Sequence, residues 1–419
     1  MENKLSETKK KANMSLVGCI ILVGCIFGTY TTLSVYIGDM MGKFACGLTE
    51  ITLIFSIASL TGLFANFILT AIIDKLPIKV IVTAGTIMNF LFFAFAALSD
   101  SLAMLYVGAG LFGIATIFTG FSTTQTVVAW WHAKNYGKKL SYLSMAMAIM
   151  GVIFGLVLPR QLIIMGIKNA LLLQGGIISA IMLIASIFFI SDKPEKYGLK
   201  AYQAEEQPAS AEQSTEMPAI PGLDFKDCFK TWQFWLLCLI NVIIMISCGW
   251  TNNISVIFQS KGLDPVTAGT MMSVYSACGI VITFIFGAVT DKIGGAKSTA
   301  LFMVLSAVAF ALGGLLSGMS AVVALAVLAP TFNSYSGMLN ALNIGTIFGY
   351  KSFGKLLPIF NVASSIGVMI GPVLASSMFE SSGSFNGFFF ALIGFTAVNL
   401  VLFKYLLSKK SVEQMQAKF

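Results

Sequence analysis

Two hydrophobic blocks of equal length, residues 14–191 and 231–408, flank the one long polar stretch of this 419-residue chain. Both carry the same short charged signature. The first copy reads Thr70-Ala-Ile-Ile-Asp74-Lys75-Leu-Pro77-Ile-Lys79, and the second reads Gly287-Ala-Val-Thr-Asp291-Lys292-Ile-Gly294-Gly-Ala-Lys297. A repeat of two membrane halves is the sequence mark of a secondary transporter, whose solute site lies between the halves near the bilayer midplane.

Composition supports a membrane chain. It is 57% hydrophobic and 11% charged, with a mean hydropathy of +0.87, far from a soluble domain. Apolar runs of about 20 residues, enough to cross roughly 30 Å of hydrocarbon, recur twelve times. They cover 14–38, 50–73, 80–98, 102–131, 138–159, 168–191, 231–258, 266–290, 297–318, 321–347, 353–379 and 384–408, and are called spans one to twelve below. Barrel strands would be half that length and alternating, so a β-barrel is excluded. The expected fold is all-α: twelve transmembrane helices in two pseudo-symmetric six-helix bundles. A tail 1–13, a linker 192–230 and a tail 409–419 complete the chain.

The net charge of +8 does not point to nucleic acid. With the N-terminus inside, twelve spans put 22 of the 26 Lys and Arg residues on the cytoplasmic side, leaving Lys43, Arg160, Lys168 and Lys261 outside. That asymmetry orients a membrane protein with both termini cytoplasmic, and the basic excess faces anionic lipid. The first run is too long for a signal h-region and no small-residue cleavage site closes it, so an uncleaved first helix is expected. The seven cysteines form no C-x-x-C and sit mostly in apolar runs, as small core residues do. The linker is rich in Glu, Ser and Pro over 203–221 and is expected to be flexible.

The repeat extends further. Tyr136-Gly137-Lys138 opens span five, followed by Gly151-x-x-x-Gly155 and Pro159; Phe353-Gly354-Lys355 opens span eleven, followed by Gly367-x-x-x-Gly371-Pro372. Glycines four apart let another helix backbone approach closely. With these residues in hand, the chain resembles the major facilitator superfamily over its whole length. The loop signature of that family matches Gly287–Lys297 well, whereas Thr70 and Pro77 replace its glycines in the first half. The resemblance implies a conformational gating role for Asp74, Lys75, Gly287, Asp291 and Lys292. Trp130-Trp131-His132-Ala-Lys134-Asn-Tyr-Gly137-Lys138 before span five resembles the oxalate/formate antiporter and monocarboxylate transporter group. So do Asp192-Lys-Pro194-Glu195-Lys-Tyr-Gly198 after span six and Phe229-Lys-Thr-Trp232-Gln-Phe234-Trp235 before span seven. Carboxylate-moving relatives usually place cations in mid-membrane, but the corresponding positions here are Thr31, Thr283 and Phe360.

No acidic residue lies in mid-span, and His132, the only histidine, falls in a cytoplasmic loop. No paired aspartates, phosphate loop or nucleophile motif is present, so neither a cofactor, a metal nor an enzymatic reaction is expected. The mid-span polar residues are then the candidates for solute binding: Tyr30 and Thr31 in span one, Gln125 in span four, Asn252 and Asn253 in span seven, Tyr275 in span eight, Asn333 and Tyr335 in span ten, and Asn361 in span eleven. Membrane asparagines also serve as glue between helices at about 0.6 kcal/mol each. Arg160, the only arginine, sits at the outer end of span five, where it can recruit an anion or anchor to headgroups.

The expected function is transport of a small organic solute, a monocarboxylate or related organic anion first by resemblance. The rivals are export of an apolar or amphipathic compound and a non-transporting receptor. The expected partners are the solute, the bilayer and a proton or counter-solute; nucleic acid is excluded, and a monomer in the plasma membrane is expected. The topology is directly testable. A single cysteine at Gln213 in a cysteine-free background should resist an impermeant label on intact cells and react after permeabilisation; labelling of intact cells would reverse the orientation.

Overall fold

The computed structural model describes residues 2–132, 136–199, 202, 222–349 and 351–408. Lys134 of the loop before span five, the linker stretch 203–221 and the tail 409–419 lie outside the described residues. Among the described residues every named element is helical, and eleven helices are long and apolar enough to cross a membrane. The count becomes twelve because one of them, within Tyr136–Ile184, turns at Gly166, whose φ of 72° lies outside the right-handed helical region. Spans five and six are its two arms.

The helices differ in continuity. Span one runs Glu2–Thr32, tightens to a 3₁₀ turn at Leu33–Tyr36 and resumes at Ile37–Phe44. Span four breaks between Leu102–Phe118 and Phe121–Trp131. Span seven is in three pieces, Trp232–Ile246, Cys248–Asn252 and Ile254–Ser260, and span ten in two, Gly318–Leu328 and Pro330–Phe348. By contrast, spans two (Leu48–Ile72), three (Ile78–Leu98), eight (Pro265–Ile293), nine (Gly295–Leu315), eleven (Phe353–Ser382) and twelve (Asn386–Leu406) are single helices. Span six passes into a π-helical turn at Ala185–Phe189; the breaks into separate helices otherwise fall on the first helix of each successive group of three. Proline at 330 accounts for one of them, since it removes a donor and clashes with the preceding turn.

The chain divides into two compact units. The first is Met1–Cys46 with Ile57–Thr215, and the second is Gly47–Ser56 with Glu216–Phe419. The start of span two belongs to the second unit because its hydroxyls reach span eleven. Thr49 donates its backbone N–H (3.0 Å) and its hydroxyl (2.5 Å) to Glu380, and Thr52 donates to Ser376 at 2.8 Å. Glu380 thus satisfies donors at the N-terminus of a long helix, where a carboxylate is electrostatically favoured.

The repeat is visible in how helix ends are closed. Lys43, after span one, donates to the carbonyls of Ala96 and Ala97 at the end of span three, both at 2.7 Å. Lys261, 218 residues later and after span seven, donates to Leu316 at the end of span nine (3.2 Å) and to Asn386 (2.9 Å). A cation on the last carbonyls opposes the negative end of the helix dipole. Burial lowers the Lys261 pKa below its ordinary value.

Glycine sets the closest helix approaches. In the second unit, a methyl at Gly367 would collide with the Val242 carbonyl of span seven, and one at Gly371 with the Ile246 carbonyl. In the first unit a methyl at Gly113 of span four would collide with the Ala58 carbonyl of span two, one at Gly175 of span six with Phe93 of span three, and one at Gly28 of span one with Met150 of span five. Gly371→Ala should therefore overpack the seam between spans seven and eleven and destabilise by about 1–3 kcal/mol, read as an earlier thermal melt in detergent. An unaltered melt would mean that the two backbones are not in contact there.

Candidate functional site

An interrupted membrane helix frees carbonyls that lipid cannot satisfy, so irregular backbone persists only where protein or a water-lined cavity takes them up. The polar residues around each interruption do this. In span one, Thr29 donates to Cys25 O (3.0 Å), Thr31 to Gly28 O (3.1 Å) and Thr32 to Gly28 O (2.6 Å), bonds that also bend a helix. Across the break in span four, Thr123 reaches back to Ile117 O at 2.9 Å, and Thr124 bonds Gly120 O at 2.8 Å. In span seven Asn253 donates to Gly249 O at 2.9 Å, and in span ten Thr331 donates to Leu328 O at 2.7 Å. Several hydroxyls and amides that a sequence reading offers to a solute are thus engaged with backbone.

In the first unit, half-buried Tyr30 stacks on Phe112 (6.1 Å between centroids), which stacks on Phe92 at 4.8 Å. Half-buried Gln125 follows the break in span four, and Ser122 donates to Asn66 of span two at 2.9 Å. Sequence reasoning missed one buried polar contact of this unit: Tyr36 in the 3₁₀ turn donates to Gln174 of span six at 2.5 Å. The signal was present as a lone glutamine in an otherwise apolar run.

In the second unit, Asn333 is exposed and donates to the hydroxyl of Tyr275 at 2.7 Å, joining spans ten and eight. Trp250 of span seven stands edge-on to Tyr275 (5.1 Å, 89°) and packs on Phe310 of span nine (5.9 Å). Tyr335 is buried against Phe332 at 5.7 Å. Asn361 accepts from Asn340 at 3.3 Å, while Asn253 also accepts from Ser376 of span eleven at 3.4 Å. Thr283 donates to Gly279 O at 2.8 Å and lies 3.2 Å from the Ser334 hydroxyl, and Phe360 is buried. Neutral side chains fill the positions where carboxylate-moving relatives place cations.

The charged candidates lie at the ends. Asp74 is exposed and pairs with Lys193 at 2.6 Å, just after span six. Its neighbour Asp192 accepts the N–H of Ile78 (2.7 Å), capping span three. Lys75, Asp291 and Lys292 are exposed, and a methyl added at Gly287 would enter open space. His132 is buried and edge-on to Tyr202; burial first, then Lys139, lowers its pKa, which favours the neutral imidazole. Arg160 is exposed and donates to Leu156 O of its own helix, and among the described residues it pairs with no carboxylate.

The sequence pattern of the Major Facilitator Superfamily matches residues 19–344 and 242–418. An uncharacterized MFS-type transporter, YhjX of Escherichia coli strain K12, is 21% identical over 359 residues, covering 84% of this chain and 85% of that protein. Among solved structures, the nucleoside transporter NupG aligns with a TM-score of 0.73 at 13% identity, over 95% of this chain and 99% of that one. A bacterial homolog of the human lysosomal transporter Spinster, inward-facing and unoccupied, aligns with a TM-score of 0.69 at 13% identity, over 98% of each. At these identities the structural likeness shows the fold.

The Tyr36–Gln174 contact makes a stability test of the first unit. Tyr36→Phe leaves a buried acceptor unpaired and should cost about 1–3 kcal/mol, whereas Tyr36→Phe with Gln174→Leu removes both partners and should recover most of the loss. Thermal melts of the three proteins decide it; equal melts for wild type and Tyr36→Phe would remove the bond.

Proposed function

Because the chain belongs to the Major Facilitator Superfamily and is a multi-pass membrane transporter, we propose that it moves a small organic solute by alternating access. The observation carrying this reading is that spans one, four, seven and ten are the interrupted ones. Discontinuous helices with polar side chains at the break are the means by which transporters present hydrogen-bonding groups at mid-membrane depth. Tyr30, Thr31, Gln125, Asn252, Asn253, Tyr275, Asn333, Tyr335 and Asn361 are the proposed solute-facing set. Asp74, Lys75, Gly287, Asp291 and Lys292 are the proposed gating set, supported in the first half by the ion pair from Asp74 to Lys193.

A monocarboxylate or related organic anion is the first choice of cargo, on the motifs flanking spans five, six and seven. Because Lys43 and Lys261 are occupied with helix ends, Arg160 and Lys168 are the external cations left to attract it. The neutral residues at 31, 283 and 360 favour a second reading, an uncharged or amphipathic cargo. The plasma membrane, cytoplasmic termini and a monomer complete the proposal; coupling uses exchange or a proton travelling with the cargo, there being no mid-span carboxylate.

Uptake of radiolabelled lactate by wild type and Arg160→Gln separates the two readings. If one exposed guanidinium recruits the anion, KM should rise about two- to fivefold and uptake should lose part of its salt dependence. Unchanged lactate uptake in the variant would reduce Arg160 to a lipid anchor.

A further inference from the structure

We infer that Trp250 reads the cargo: its indole N–H is held in reserve for an oxygen acceptor, a carboxylate or a carbonyl, on the transported solute. The inference rests on the transporter reading above and adds to it a residue and the chemistry that the residue recognises.

Trp250 lies in Cys248–Asn252, the short helical piece of span seven between the turns at Ser247 and Asn253. Its side chain is completely buried (0% exposed). The ring is fixed by aromatic packing, edge-on to Tyr275 and against Phe310, and Asn333 in turn holds the Tyr275 hydroxyl. Nothing in that packing uses the N–H. Among the described residues Nε1 has no hydrogen-bond partner.

This is not how the chain treats its other indoles and amides. Trp131 donates to Ser191 O (3.4 Å) and Trp235 to Phe229 O (3.0 Å). Asn241, Asn253 and Asn343 each donate to the carbonyl one turn back, at 2.8, 2.9 and 2.7 Å. Asn252 departs from that habit: it is 5% exposed, and its Nδ2 has no partner among the described residues. With the Thr251 hydroxyl between them, three successive residues of this interrupted helix carry a group unpaired among the described residues, and the two N–H donors sit two positions apart. Residues at that spacing do not face each other, so each addresses its own acceptor.

A buried donor left unpaired destabilises the fold, and such violations concentrate at functional sites. Of the three orphans on this piece, the indole and the amide N–H only donate and the Thr251 hydroxyl can donate as well, so one acceptor-bearing solute complements them all. Tyr275 and Asn333, which hold the ring from one side, both belong to the proposed solute-facing set. Carboxylate and carbonyl oxygens share this chemistry and differ in charge. A charged acceptor draws more from an N–H donor than a neutral one does.

Trp250→Phe removes the donor and shrinks the ring, so Trp131→Phe, which shrinks an equally buried but paired indole, is its control; Asn252→Leu removes the amide at similar volume. Thermal melts of the purified full-length protein, alone and with lactate or lactamide, test the proposal. Without ligand, Trp250→Phe should lower the melt less than Trp131→Phe, because both open a cavity and only Trp131 loses a hydrogen bond, and Asn252→Leu should melt about 2 °C higher than wild type. With ligand, the variant should bind lactate roughly tenfold more weakly if the acceptor is a carboxylate, or lactamide about threefold more weakly if it is a neutral carbonyl. A ligand-free loss in Trp250→Phe as large as that in Trp131→Phe overturns the proposal, since the N–H would then be paired within the protein. Wild-type affinity in Trp250→Phe for a probe that does bind overturns it equally. If neither probe shifts the wild type, the monocarboxylate reading fails separately. The ligand-free melts then decide the reserved donors, a rise in Asn252→Leu and a smaller loss in Trp250→Phe than in Trp131→Phe upholding them, and no rise or an equal loss overturning them.

Discussion

The interaction on which this structure depends is the backbone hydrogen bond in a solvent that cannot replace it. Lipid offers no partner to a freed carbonyl, so every departure from the helical ladder has to be closed by the chain itself. The four interrupted spans obey this: Thr29, Thr31 and Thr32, Thr123 and Thr124, Asn253, and Thr331 return their side chains to carbonyls beside the breaks. Hydroxyls and amides cluster there because the backbone needs them. Solute recognition has to be built from what that duty leaves over.

Helix ends pose the same problem and receive charged answers. Lys43 and Lys261 close the C-termini of spans three and nine, while Asp192 and Asp264 cap the starts of spans three and eight. Glu380 takes the start of span two. The Asp264 carboxyl is held below its ordinary pKa by its bonds to Thr267 first and to Val266. Fixed at the ends, these charges leave the membrane interior to neutral groups. The site must therefore work through hydrogen-bond direction and aromatic shape. In the second unit, the exposed Asn333 amide orients Tyr275, Tyr275 braces Trp250, and Trp250 leans on Phe310.

Much of this was legible in the sequence. The twelve apolar runs appear as helices, with Gly166 dividing one long helix into spans five and six. Gly367 and Gly371 appear at a tight seam with span seven, as their spacing suggests. The 102–131 run looked merely long; it is two helices meeting at Thr119-Gly120. Tyr36 and Gln174, 138 residues apart, gave no local sign of being partners. Nothing in the sequence sets Trp250 apart, because an unpaired N–H is a property of its surroundings.

By itself, the sequence determined that the chain is a helical membrane protein of twelve spans in two repeated blocks. Bilayer thickness and the positive-inside rule act on run length and on charge order, which are one-dimensional quantities. The tertiary structure decided which polar side chains serve the backbone and which keep unpaired groups. Asn252 and Asn253 are neighbours of one residue type; one is spent on Gly249 and span eleven, and the other keeps its donors. That difference comes from the carbonyls and helices each side chain meets in three dimensions, and no pattern along the chain encodes it.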